Sequence, residues 1–94
     1  MAGSEMLRPD LYVVARILEC LWRAHGPILR TRLQIAANVN YDVFSRYIDW
    51  MSQKGLVTYD KCSNGHDGVK LTSKGEEAYR KLVQWINEVI NGKM

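Results

Sequence analysis

The sequence predicts a mainly α domain with one small β-hairpin, an α+β arrangement with three helices before the hairpin and one after it. Three observations carry this. Apolar residues recur at three- and four-residue steps in separate stretches, the spacing of a buried helix face. Breakers separate those stretches at Gly26-Pro27, Val39-Asn40 and Gly55. An Asn64-Gly65 pair sits between two short apolar runs, a strong hairpin signal.

The first helix is expected from about Pro9 to His25. Leu11, Val14, Ile17, Leu18 and Leu21 form its apolar stripe, with Trp22 beside them. Gly26 suits a left-handed C-terminus and Pro27 stops the helix. Ile28-Leu29 is long enough only for a strand stub. Thr31 and Gln34 have capping-box spacing, so a second helix is expected from there to about Asn38, burying Leu33, Ala37 and one of Ile35 or Ala36. Val39-Asn40 makes a tight turn, and Asn40 is a competent N-cap. The third helix is expected over Tyr41 to Lys54, with Val43, Phe44, Tyr47, Ile48 and Met51 facing inward and Gly55 ending it.

Leu56-Val57-Thr58-Tyr59 and Val69-Lys70-Leu71 read as the two hairpin strands. Thr72 caps a last helix from about Ser73 to Asn91. Two short helices joined by a tight turn and followed directly by a hairpin constitute a helix-turn-helix with a wing. One domain over 1–94 is expected, with 1–8 as a disordered start, 30–54 as the helix-turn-helix, 56–71 as the wing and 72–91 as a dimerisation helix.

Composition sets bounds on function. The 94 residues carry 13 Lys and Arg against 10 Asp and Glu, a formal charge of +3 that permits nucleic-acid binding without requiring it. Between Pro27 and Lys61, five cations (Arg30, Arg32, Arg46, Lys54, Lys61) face three anions (Asp42, Asp49, Asp60). No apolar run approaches the length of a bilayer span, and the start lacks a secretory pattern, so a cytoplasmic protein without membrane contact is expected. Cys20 and Cys62 read as one buried thiol and one loop thiol; a disulfide, within or between chains, is the alternative. His25 and His66 do not stand at metal-ligand spacing with them. There is no Gly-rich phosphate loop and no nucleophile motif, so no enzyme, metal or cofactor is expected.

The site residues follow from the elements. The outer face of the third helix offers Ser45, Arg46 and Gln53, of which Arg46 suits a bidentate contact to guanine. Asp42 and Asp49 share that face and repel phosphate. Tyr41 begins the same helix, beside the Asn40 cap. Arg30, Thr31 and Arg32 surround the start of the second helix, where free backbone N–H groups favour a phosphate. The wing adds Lys61, Asn64, His66 and Lys70, placed to follow the DNA backbone. On the last helix, Ala78, Leu82, Trp85 and Val89 form one apolar row, and Tyr79, Val83, Ile86 and Ile90 a second. Two rows exceed what one small core covers, which points to a second copy and a two-fold dimer. The competing reading is a protein-interaction adaptor, for which Trp50, near the polar side of the third helix, is the best pointer.

The stretch from Ile17 to Leu82 resembles the archaeal winged helix-turn-helix DNA-binding family of small Sulfolobus-type proteins and archaeal-virus regulators. The likeness rests on Ile28-Leu29-Arg30-Thr31, Ala37-Asn38-Val39-Asn40-Tyr41, Phe44-Ser45-Arg46-Tyr47-Ile48, Lys54-Gly55-Leu56-Val57 and Val69-Lys70-Leu71-Thr72-Ser73-Lys74-Gly75. It implies double-stranded DNA as a partner and a homodimer formed through the last helix.

Overall fold

A computed structural model describes residues 9–90. The expected irregular start (1–8) and Asn91 lie outside the described residues. The order is α1 (Leu11–Ala24), β1 (Ile28–Leu29), α2 (Arg30–Ala37), α3 (Tyr41–Gln53), β2 (Val57–Lys61), β3 (Asp67–Leu71) and α4 (Ser73–Trp85), which runs into a π-helical turn, Ile86–Ile90.

α1 starts where Asp10 accepts a hydrogen bond from the Tyr12 N–H, and it buries Val14, Ile17, Leu18 and Leu21. His25, rather than Gly26, takes the left-handed C-cap at φ 55°. β1 pairs antiparallel with β3 (Ile28 with Val69, Leu29 with Gly68), and β2 pairs with the other edge of β3, giving the order β1-β3-β2. Gly68 is required at that crossing: a Cβ there would lie 2.5 Å from Cys62 Sγ and 3.0 Å from the Ile28 carbonyl oxygen.

The second helix differs from the sequence expectation. α2 begins at Arg30, directly after the strand, with Leu29 as N-cap and no side-chain cap. Thr31 therefore lies inside the helix, and Gln34 donates instead to the Val39 carbonyl at 2.7 Å. The strand ends at Leu29, paired with Gly68, and Leu29 is itself the extended N-cap, so Thr31 is already in the first helical turn and not at the cap position. Leu33 and Ala37 are buried as expected, but Ile35 is 71% exposed and Ala36 is exposed too.

Asn38 closes α2 in the left-handed conformation, and Asn40 caps α3 by accepting from the Asp42 N–H. α3 buries Phe44, Tyr47, Ile48 and Met51. The Tyr47 hydroxyl also accepts from the Asp10 N–H at 2.8 Å, which fixes α3 against the start of α1. Ile17, Leu33, Phe44, Ile48, Met51 and Val69 are the largest fully buried side chains, so the core lies among α1, α2, α3 and β3.

The junction of α3, the wing and α4 is tied by Thr72. Its hydroxyl donates to the Gly55 carbonyl and accepts from the Gly75 N–H, while its own N–H donates to the Leu56 carbonyl. A Cβ on Gly75 would overlap the Leu56 carbonyl oxygen, which accounts for the glycine of the Leu71-Thr72-x-x-Gly75 run. The strands are longer than the alternation suggested, reaching Lys61 and starting at Asp67. The last α-helix is shorter than expected, giving way at Ile86 to the π-helical turn.

Candidate nucleic-acid interface

α3 presents two chemically opposite faces. With Phe44, Tyr47, Ile48 and Met51 in the core, its 3.6-residue repeat turns Asp42, Arg46, Asp49 and Gln53 outward, and all four are exposed. Arg46 stands between the two aspartates and forms no ion pair with either among the described residues. Tyr41 opens the helix with its ring 53% exposed. The Asn40 carboxamide oxygen, by contrast, is engaged by its cap.

Ser45 and Arg30 are brought together. Arg30 Nη2 donates to Ser45 Oγ at 2.9 Å, and the guanidinium lies over the Phe44 ring, 5.7 Å from its centroid. Neither side chain is the independent, fully exposed contact expected from the sequence; the pair bridges the start of α2 to α3. Thr31 and Arg32 are exposed. Arg32 shares a cleft with Pro27, Leu29, Cys62 and Asn64, so the start of α2 and the wing tip line one surface depression.

The wing lysines are already paired. Lys61 Nζ lies 2.8 Å from Asp67 Oδ1, and Lys70 Nζ lies 3.1 Å from Asp60 Oδ2. The hydrogen bond from the Lys61 backbone N–H, and then Lys70, hold the Asp60 carboxyl below the usual aspartate range; Lys61 does the same for Asp67. Asp67 in turn holds the Lys61 ammonium above the ordinary lysine value. The tip is shaped by Asn64 Oδ1 accepting from the His66 N–H, with Gly65 at φ 86° and His66 exposed. Sequence reasoning missed both wing aspartates, because cross-strand pairing depends on register rather than on any local pattern.

It also missed Arg16. From within α1 it donates to the Asn38 carbonyl at 3.2 Å and lies over the Tyr12 ring, bracing the turn between α2 and α3. A cation amid an apolar helical stripe was the available signal. Lys74 similarly donates to the Lys54 carbonyl at the end of α3.

The dimer candidates on the last helix divide. Tyr79 stacks on Trp22 of the same chain, with ring centroids 5.0 Å apart, and packs against the core. Ala78, Leu82 and Ile86 are half-buried, whereas Val83, Trp85, Val89 and Ile90 are exposed. Trp22, in the C-terminal half of α1, covers Tyr79 and lies under the Arg80 guanidinium. Both cysteines are free thiols, and burial, then Glu19, pushes the Cys20 thiol up. No helix among the described residues is long and apolar enough to cross a membrane.

A helix, a short strand, two further helices, a two-stranded wing pairing with that strand and a terminal helix, in this order, define a small winged-helix protein. The profile of the winged helix-turn-helix family matches residues 8–90, and the chain belongs to that family. It is 29% identical over 86 residues to the uncharacterized protein MJ0287 of Methanocaldococcus jannaschii, covering 92% of this chain and 80% of that one. The fold is similar to that of F93 from STIV, a winged-helix DNA-binding protein, with TM-score 0.79 and 15% identity over 93% of this chain and 100% of that one. It is similar to Sso10a-2, a DNA-binding protein from Sulfolobus solfataricus, with TM-score 0.69 and 20% identity over 89% and 84% of the two chains. A MarR-family transcriptional regulator from Silicibacter pomeroyi gives TM-score 0.68 and 26% identity over 82% of this chain, which spans about half (52%) of that protein.

Proposed function

We propose that this protein is a transcriptional regulator or nucleoid-type protein that binds double-stranded DNA as a homodimer, with α3 in the major groove and the wing along the backbone. The observation that carries the reading is the division of α3. Its aromatic side is locked in the core, and Arg46 and Gln53 stand outward with nothing of the same chain over them among the described residues. An exposed helix of this kind fits a major groove, and an unpaired guanidinium suits a guanine edge. Arg32 at the start of α2 supplies a phosphate contact, with Thr31 and the wing tip beside it. Among known proteins of this fold, F93 and Sso10a-2 are described as DNA-binding, which agrees with this assignment.

The second copy packs on the exposed apolar residues of the last helix, Val83, Trp85, Val89 and Ile90. A two-fold arrangement places two α3 helices about 34 Å apart, one turn of duplex. The adaptor reading leaned on Trp50, whose indole is half-buried and packed against the core, so no exposed aromatic on α3 other than Tyr41 favours it.

The test is a duplex mobility shift across a salt series. Arg46→Ala is expected to lose about 1–3 kcal/mol and to relax base preference; Arg32→Ala weakens all sequences alike and lowers the salt slope by about one unit. A parent protein that binds no duplex at low salt overturns the reading.

A further inference from the structure

A serine hydroxyl is an ambivalent reader of base edges. It has one donor hydrogen and two lone pairs, and the hydrogen rotates to suit its neighbour. Ser45 has less of that freedom, because one lone pair of its Oγ accepts from Arg30 Nη2 at 2.9 Å. Arg30 is held from two sides. Its backbone is the first residue of α2, directly after the paired strand β1, and its guanidinium rests over the ring of the fully buried Phe44. A guanidinium offers donors only and keeps its charge at any pH where proteins fold. The oxygen of Ser45 therefore already has one lone pair filled by a cationic donor. A second N–H donor brought to the same oxygen would meet the neighbouring positive charge. The hydroxyl hydrogen is left to point away from Arg30, and donation into the oxygen polarises it toward an acceptor.

We infer that Arg30 is a positioning residue that sets Ser45 as a hydrogen-bond donor, so that this point of α3 selects a base-edge acceptor and rejects the cytosine amino group. The acceptors available in the major groove are guanine O6 and N7, adenine N7 and thymine O4. The inference rests on the DNA-binding reading above and adds to it a polarity at one position. It also changes the role of Arg30, which the sequence alone assigned to the phosphate backbone.

The test is competition binding with duplexes varied one base pair at a time, on the full chain, for the parent, Ser45→Ala, Arg30→Ala, Arg30→Lys and the double variant Arg30→Ala/Ser45→Ala. Thermal unfolding is followed on each. The parent is expected to prefer an acceptor over cytosine at one position by roughly five- to tenfold. Ser45→Ala and Arg30→Ala each remove that preference while preferences elsewhere persist, the double variant loses no more, and Arg30→Lys, which can still donate, keeps most of it. Loss of affinity on all sequences in Arg30→Ala with the preference intact overturns the inference and returns Arg30 to the phosphate backbone. An unchanged preference in Ser45→Ala overturns it too. If Arg30→Ala does not fold, Ser45→Ala and Arg30→Lys decide between these outcomes, and a preference lost in Arg30→Lys but kept in Ser45→Ala counts against the inference. A parent that binds no duplex sinks the inference together with the reading beneath it, whereas a binding parent with unaltered variants sinks the inference alone.

Discussion

Replacing Asp60 and Asp67 together by asparagine asks whether the wing meets DNA at all. In the parent each wing lysine faces a carboxylate, Lys61 at 2.8 Å from Asp67 and Lys70 at 3.1 Å from Asp60. Both carboxyls are held below the usual aspartate range and stand ionised opposite the two ammonium groups at neutral pH, where they compete with phosphate for them. Asparagine has nearly the same shape, and its Oδ1 still accepts from the Lys61 N–H, as Asp60 does at 2.8 Å. The double variant therefore keeps the hairpin and frees two cations for phosphate. Each phosphate neutralised steepens log K against log salt by about 0.9, so two steepen it by about 1.8 per wing. Between about 50 and 200 mM salt, that added slope is a roughly twelvefold further loss of affinity relative to the parent. At the lowest salt the variant binds more tightly.

The assay is fluorescence anisotropy on a labelled random-sequence duplex across the salt series. Glu77→Gln is the control, because it frees Lys81 on α4, 3.5 Å away, without altering the wing. Its line should stay parallel to that of the parent. Parallel lines for Asp60→Asn/Asp67→Asn would refute the reasoning that these carboxylates keep the wing lysines from phosphate, and a shallower line for Lys61→Met would then decide whether the wing is in the interface at all. A steepened line for Glu77→Gln would show that overall charge, not the wing, sets the slope.

Three further outcomes are expected. Gly75→Ala drives a methyl group into the Leu56 carbonyl at the α4 cap, a clash of about 3 kcal/mol that lowers Tm by roughly 15 °C; an unchanged melting curve would contradict the close approach. Val89→Glu puts a charge among the exposed apolar residues of the last helix and should convert a dimer mass to a monomer mass in light scattering, whereas an unaltered mass would move the dimer contact elsewhere. The carboxyls of Asp60 and Asp67 should titrate by NMR below ordinary aspartates. Their folded pKa values are depressed, so the stabilisation from these pairs is present above the unfolded aspartate value and is lost as pH falls through the folded one. Lys61→Met should return Asp67 toward the ordinary value, and an unmoved midpoint would refute the pairing.

The helices were legible because their signals are local. Asp10, Asn40 and Thr72 cap the helices that the apolar spacing outlines, and the four inward residues of α3 follow from its period alone. What escaped the sequence was set by partners distant along the chain. Thr31 and Gln34 have the spacing of a capping box, yet the strand pair Leu29 with Gly68 decides where α2 begins. The strand ends depend on Lys61 standing opposite Asp67. The site followed the same division. That Arg46 and Gln53 point outward is a property of one helix. That Ser45 is engaged by Arg30, fifteen residues away, and that the wing lysines are neutralised, are properties of packing.

This neutralisation bears on what the proposed second copy would add. With Lys61 and Lys70 paired, the expected contact arginines Arg30, Arg32 and Arg46 stand without an ion pair among the described residues, and Arg30 is turned to the neutral Ser45 hydroxyl. On the proposed reading Arg46 meets a base edge and Arg30 holds Ser45, so of these three Arg32 is assigned to phosphate, a salt slope of only about 0.9 for one protomer and a weak electrostatic hold. Asp42 and Asp49 beside Arg46 reduce it further. Two protomers on successive turns would double the slope, the second engaging at the high effective concentration set by the first. On the proposed dimeric reading, affinity rests on dimerisation more than on the charge of any one reading face. For that reason Val89→Glu should weaken DNA binding more than the loss of Arg32 or Arg46, although Val89 lies on the turn that ends the last helix and not on α3.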